Sequence, residues 1–302
     1  MPSSNSHPIR RPGGRSMRHF FRELFNSISD DDIFGRSAEL GYYFFFAIFP
    51  GFIFLSTIVA IFFGSSAGMR ATLTQHLAQV VPPHAFSLLQ QTLSRSTGAT
   101  GRLTFGVVVS LWSATVGMSA ACDTLNAVHD VTESRPWWKV KLVALLLTLI
   151  TTVLVLCAVG VLFGGDAMIR AAGFGGAFDI LIKILQWAVA FVFVTLIFSI
   201  TYYFAPDVKD REWHWITPGA TLGIVLWILA TLALRFYLHY SDTYSATYGT
   251  MGAVMVLLLW FYIAGFAMLT GAEINAVIED TAAHQGDPEA VAKGEKSPQA
   301  AA

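Results

Sequence analysis

The chain has 302 residues, 54% of them hydrophobic and only 13% charged, with a formal net charge of -1. Soluble domains average about 25% charged residues, so this composition excludes an ordinary water-soluble fold and points to a membrane protein. The two cysteines, Cys122 and Cys157, both fall in apolar runs, which excludes a disulfide framework.

Residues 1–32 read as a polar, Arg-rich tail. The stretch SNSHPIRRPGGRSMRH has no apolar core before about Ile33, which argues against a cleaved secretory signal, although its Arg content alone also fits a transit peptide. Residues 33–280 hold six runs near the 20 apolar residues a bilayer-spanning helix needs: Ala38 to Phe63, Leu103 to Cys122, Val140 to Phe163, Leu181 to Phe204, Ile216 to Leu238 and Met251 to Ile278. The alternation of a membrane barrel is missing. The predicted class is therefore all-α, a polytopic membrane bundle of six transmembrane helices in one domain.

Span one carries Pro50-Gly51 at its middle, in FFFAIFPGFIFLS. Proline removes a backbone hydrogen bond there and clashes with the carbonyl of Phe46. Neighbouring helices satisfy such kinks, and transporters use such breaks to form sites. The sequence favours a packed kink and keeps Pro50 and Gly51 as substrate-path candidates. The outer loop Gly64 to Arg102 repeats apolar residues at helical spacing on either side of Pro82-Pro83, which predicts two short amphipathic helices on the outer surface or re-entering it; the usual behaviour of long ordered loops favours a plain cap over the bundle.

Span two is the least apolar. Gly106 and Ser110, then Ser113, Gly117 and Ala121, recur every four residues, a spacing that lets helix backbones approach closely. Span two is expected to be central and span three more lipid-exposed. Span five opens TPGATLG, with Thr217 as N-cap, Pro218 in the first turn, and Gly219 and Gly223 as GxxxG. Residues 281–302 are poor in aromatics and read as a disordered tail.

Charge inside the hydrocarbon is costly and faces protein or water, so the ionisable residues in or beside spans are the leads. Six spans place 13 of the 19 Lys and Arg residues on the side of both tails, which makes both termini cytoplasmic. Glu39, Asp123 and Glu273 then lie toward the cytoplasmic ends, with Asn126 one turn beyond Asp123, and Arg235 sits in the outer half. Glu39 suits the first turn of a helix and is a salt-bridge candidate. Asp123 and Glu273 sit at C-terminal ends, where the helix dipole disfavours acids. Each needs a partner, and Arg36, Arg135, Lys139 and Lys141 are on that side. Two readings follow: interfacial salt bridges, or a polar inner vestibule in which Asp123, Asn126, Arg235 and Glu273 line a substrate path.

The eight histidines form no HExxH or HxH pair, and no CxxC or GxxxxGKS occurs. No catalytic residue, metal site, cofactor or enzyme activity is predicted. The tail arginines predict only salt-sensitive polyanion contact and no specific nucleic-acid partner; membrane lipids and further copies of the chain are the expected partners.

Three stretches, SAELGYYFFFAIFPGFIF, LWSATVGMSAACDTLNAVHD and APDVKDREWHWITPGATLGIVLW continuing to YSATYGTMGAVMVLLLWFYIAGFAMLTGAEINAVI, together resemble the YihY/BrkB family of bacterial inner-membrane proteins. The likeness spans roughly Ile33 to Ile278. It implies a six-helix cytoplasmic-membrane protein, linked to envelope lipid handling and once labelled ribonuclease BN. The family-like positions are Tyr42, Pro50, Leu125, Asn126, Pro218, Gly219, Tyr248, Gly249, Trp260, Tyr262, Gly271, Ala272, Glu273 and Asn275, with Gly249 read as structural. Relatives carry Arg soon after the WSAS-like stretch, where this chain has Val116. The functional expectation is movement or reorientation of a lipid or amphipathic anionic solute in envelope maintenance, against a non-catalytic scaffold or an ion or small-solute transporter.

Overall fold

A computed structural model describes residues 17–47, 100–172, 177–208, 216–240, 242–285 and 290–296. These residues form seven helices and no strand: α1 (Met17–Asp30), α2 (residues 33–47), α3 (Thr100–Val128), α4 (Trp137–Ala172), α5 (Ala177–Phe204), α6 (Pro218–Tyr240) and α7 (Asp242–His284). Pro50, Gly51 and almost all of the outer loop lie outside the described residues, as do the surroundings of Gly249, which is itself helical in α7.

Four of these helices contain stretches long and apolar enough to cross a membrane, at Trp137–Leu162, Phe178–Phe204, Pro218–Leu238 and Val254–His284. They coincide with the third to sixth expected spans. The stretch expected as span two lies in the 29-residue α3, and the stretch expected as span one is described only over its first part, in α2. The lipid-facing character of the bundle is visible on its surface. Leu146 and Val153 on α4, Leu181 and Trp187 on α5, and Leu229 and Phe236 on α6 are all exposed, which hydrocarbon favours and water does not.

Half of the stretch read as a polar tail is the amphipathic helix α1. It buries Leu24 and leaves Phe21 and Phe25 exposed, the pattern of a helix lying in a membrane interface. A two-residue elbow joins it to α2. Asp32 takes a positive φ of 48°, which aspartate tolerates better than most residues, and its Oδ1 accepts the Gly35 N–H at 3.2 Å, capping α2.

The core lies along α2, α3 and α7, where small residues permit close approach. Gly41 on α2 faces the Tyr262 backbone, Gly265 on α7 faces the Ser37 carbonyl, and Gly117 on α3 faces Ala47 and Phe44. Ala120, Ala121 and Cys122 are buried, so the second half of α3 is packed by protein as the small-residue spacing predicts. The GxxxG of α6 also does what its spacing predicts. A Cβ at Gly219 would collide with the Gly271 carbonyl, and one at Gly223 would lie 2.9 Å from the Ala267 carbonyl. Tyr202 of α5 closes this crossing by donating its hydroxyl to the Met268 carbonyl at 2.6 Å.

Candidate functional site

The start of α2, the end of α3, the start of α4, the end of α5, the start of α6 and the end of α7 meet at one end of the bundle. Helix termini expose unpaired backbone groups, and side chains from other elements satisfy them here. Thr217 Oγ1 accepts the Ala220 N–H at 3.1 Å and caps α6. Asn275, from α7, accepts the Gly219 N–H at 2.8 Å and donates to Thr217 Oγ1 at 2.9 Å. An amide suits this place because it is donor and acceptor at once.

A second fastening joins the loops after α3 and α5. Asn126 is buried, accepts the Asp207 N–H at 2.7 Å and donates to Glu133 at 2.9 Å. Asp207 Oδ2 accepts from the Ser134 N–H at 3.0 Å, the Ser134 hydroxyl at 2.5 Å and the Lys296 ammonium at 2.9 Å. Burial works against the Asp207 charge, but the bonds from Lys296 and Ser134 outweigh it and hold its carboxyl down at about 2. Arg135 donates to Glu133 and to the Ala205 carbonyl. Burial opposes the Glu133 charge as well, yet Arg135 and Asn126 keep its pKa below the ordinary range.

The third element is Glu273. Its side chain has no exposure, and its Oε1 accepts the Lys293 ammonium at 2.5 Å. The same ammonium donates to Asp31 Oδ2 at 2.9 Å. Burial lowers the affinity of Lys293 for its proton, but Glu273 and Asp31 more than compensate, so its pKa rises above the ordinary lysine value. Lys293 belongs to residues 290–296, inside the stretch for which composition predicts disorder. This segment buries Val291, donates the Lys293 N–H to Asp280 at 3.0 Å and donates the Gly294 N–H to the His129 carbonyl at 2.9 Å.

The predicted site residues therefore separate. Glu273 and Asn126 are built into the polar end. Asp123 is exposed, with Lys141, Glu133 and Glu39 in its electrostatic surroundings, and Glu39 is exposed as well. Arg235 is exposed on α6, 17 residues beyond Pro218, or roughly 26 Å at the helical rise. It stands near the other end of the bundle. Glu273 is paired, as its place at a helix C-terminus demands, but by Lys293 and not by the four cations the sequence offers. Asp207 carries no warning beyond following Pro206 at the end of a span.

Along the same α2–α7 seam, an apolar groove lies between Ala38, Gly41 and Tyr42 on one side and Leu258, Leu259 and Tyr262 on the other, with a volume of about 260 Å³. Among the described residues no group of three or more His, Cys, Asp or Glu side chains is placed to hold a metal ion.

The family model described as virulence factor BrkB matches residues 24–294, from the second half of α1 into the Lys293 segment. The chain belongs to the BrkB family. Among its relatives, the ribonuclease-like protein YfkH of Bacillus subtilis is 33% identical over 264 residues, covering 86% of this chain and 94% of that protein. A UPF0761 membrane protein of Xanthomonas campestris pv. campestris is 27% identical over 260 residues, and one of Xanthomonas oryzae pv. oryzae is 26% identical over 277. The chain spans 59% and 63% of the lengths of these two Xanthomonas proteins. No solved structure matches. BrkB membership and the apolar helices make this a membrane protein.

Proposed function

We infer that this BrkB protein is a six-span protein of the bacterial cytoplasmic membrane, with both tails cytoplasmic, that moves or reorients a lipid. The observation that carries the reading is the apolar groove between α2 and α7, on the seam whose polar end holds Asp31 and Glu273. An acyl chain enters such a groove from the bilayer without leaving hydrocarbon, and the buried polar end offers charge to a headgroup. Of the two substrate classes the sequence raises, the acids at that end favour a lipid over a purely anionic amphiphile.

The test is redistribution of a fluorescent phospholipid between leaflets of proteoliposomes, comparing the native chain with Ala38→Trp, which fills the groove from an exposed position. Native protein is expected to accelerate redistribution several-fold over protein-free vesicles, with the variant folded and slower. Equal rates in native and protein-free vesicles would remove the reading. A scaffold role has its own support: Asp207 and Glu273, the two acids most deeply held at the polar end, are both engaged in ion pairs. Under that role, substituting them lowers protein abundance and leaves no flux to lose.

A further inference from the structure

The acids that hold Lys293 have the chemistry of an ammonium site. Two carboxyls from different helical elements, Asp31 at the α1–α2 elbow and Glu273 on α7, converge on one ammonium at 2.9 and 2.5 Å. Asp130 and Asp280 add negative charge around it. Glu273 is wholly buried, and its Oε2 accepts no hydrogen bond from the described residues. One ammonium therefore serves two acids, and Glu273 Oε2 takes no bond from it. The Lys293 side chain is 17% exposed, so it closes the pocket from outside. It also arrives on a segment beyond the end of α7 and not from the bundle wall.

We propose that the Asp31–Glu273 pocket is a binding site for primary alkylammonium groups, and that Lys293 is its resident, exchangeable occupant. A primary ammonium has three N–H donors. It can bond Asp31 Oδ2 and Glu273 Oε1 as Lys293 does. A quaternary ammonium has none of these bonds to offer, which makes the site selective on chemical grounds. The proposal deepens the lipid reading and rests on it for its biological source. Glu273 and the groove residue Tyr262 lie eleven residues apart on α7, close to the same face and roughly 16 Å apart along the axis. That spacing suits an aminoethyl headgroup at one end of the seam and an acyl chain at the other. A free soluble amine shares the headgroup chemistry, and the experiment separates the two. Because Lys293 is tethered nine residues beyond the end of α7, its effective concentration is high, so the site is best read with that side chain shortened.

The experiment is thermal unfolding of full-length Lys293→Ala in detergent, followed by tryptophan fluorescence, with ethylammonium chloride or tetramethylammonium chloride at equal ionic strength. The variant is expected to melt several degrees below the native chain and to recover with ethylammonium alone. Recovery should vanish in Glu273→Gln/Lys293→Ala. In mixed micelles, recovery with phosphatidylethanolamine and not phosphatidylcholine, at concentrations where ethylammonium is silent, identifies an aminolipid. Recovery with ethylammonium and not with phosphatidylethanolamine keeps the site and assigns it a soluble amine. Absent recovery, or equal recovery with the quaternary salt, overturns the proposal. If Lys293→Ala is isolated only as aggregate, the same salts are supplied during extraction. Monodisperse protein with ethylammonium alone then supports the site, and aggregation in both salts overturns it. Melting does not depend on transport, so lipid movement and amine binding can fail separately.

Discussion

Glu273 and Asp123 are both acids at the C-terminal ends of helices, and their surroundings give them opposite weight. Glu273 has no exposure and holds Lys293, whereas Asp123 is exposed. Removing one partner of a buried ion pair leaves the other uncompensated, at a cost near 3 kcal/mol, while exposed substitutions usually stay within about 0.5 kcal/mol. Glu273→Gln is therefore expected to destabilise the purified protein by about 3 kcal/mol and Asp123→Asn by less than about 0.5, read by chemical or thermal unfolding in detergent. Asp207 makes a pH prediction. Its folded pKa of about 2 lies below the ordinary carboxylate value, near 3.9 in unfolded chains. The stability it contributes is fully present above that ordinary value and is lost as pH falls through about 2. Melting temperatures of the native chain should fall more steeply with acid between about pH 4 and pH 2 than those of Asp207→Asn. Parallel curves would show that Asp207 is not held as described.

Between elements, the decisive contacts are made by residues with no side chain. Gly271 on α7 faces the Gly219 carbonyl and the Tyr202 hydroxyl, so a Cβ there would lie closer than 3 Å to both. Gly160 on α4 has nothing within 4 Å. Overpacking costs about 1–3 kcal/mol, and alanine is the better helix former by about 1 kcal/mol. Gly271→Ala is expected to lower the melting temperature and reduce yield, with Gly160→Ala neutral or stabilising. The same melt for both would refute the close α6–α7 crossing. Polar glue acts alongside the glycines. Gln186, buried on α5, donates to the Leu162 carbonyl of α4 at 2.7 Å, the kind of interhelical bond that low-dielectric surroundings reward. The GxxxG of α6 was legible because small residues at intervals of four have one common use in membranes. Asn275 as the clasp of α6 was not, since its partners lie 56 and 58 residues away and the family resemblance marks the position without its role.

At the scale of the whole molecule, hydrophobic runs made the membrane class and the third to sixth spans readable, because length and apolarity are local properties. The polar end was only half readable. Position on a helix showed that Glu273 needed a partner, but Lys293 sits in a stretch whose composition resembles a solvated tail, and only tertiary packing gives it a place. The amphipathic α1 was hidden in the same way, its phenylalanines submerged in an Arg-rich context. Together these elements make a seam between α2 and α7, with an apolar groove on its flank and a charged pocket at its polar end, and that seam is the central claim. The most direct measurement is photo-crosslinking of the reconstituted native protein with phosphatidylethanolamine carrying a photoreactive acyl chain, followed by mapping of the modified peptides. The account predicts adducts concentrated on Ala38, Tyr42, Leu258, Leu259 and Tyr262. Adducts spread evenly over the exposed faces of α4, α5 and α6, with none enriched at the seam, would contradict it.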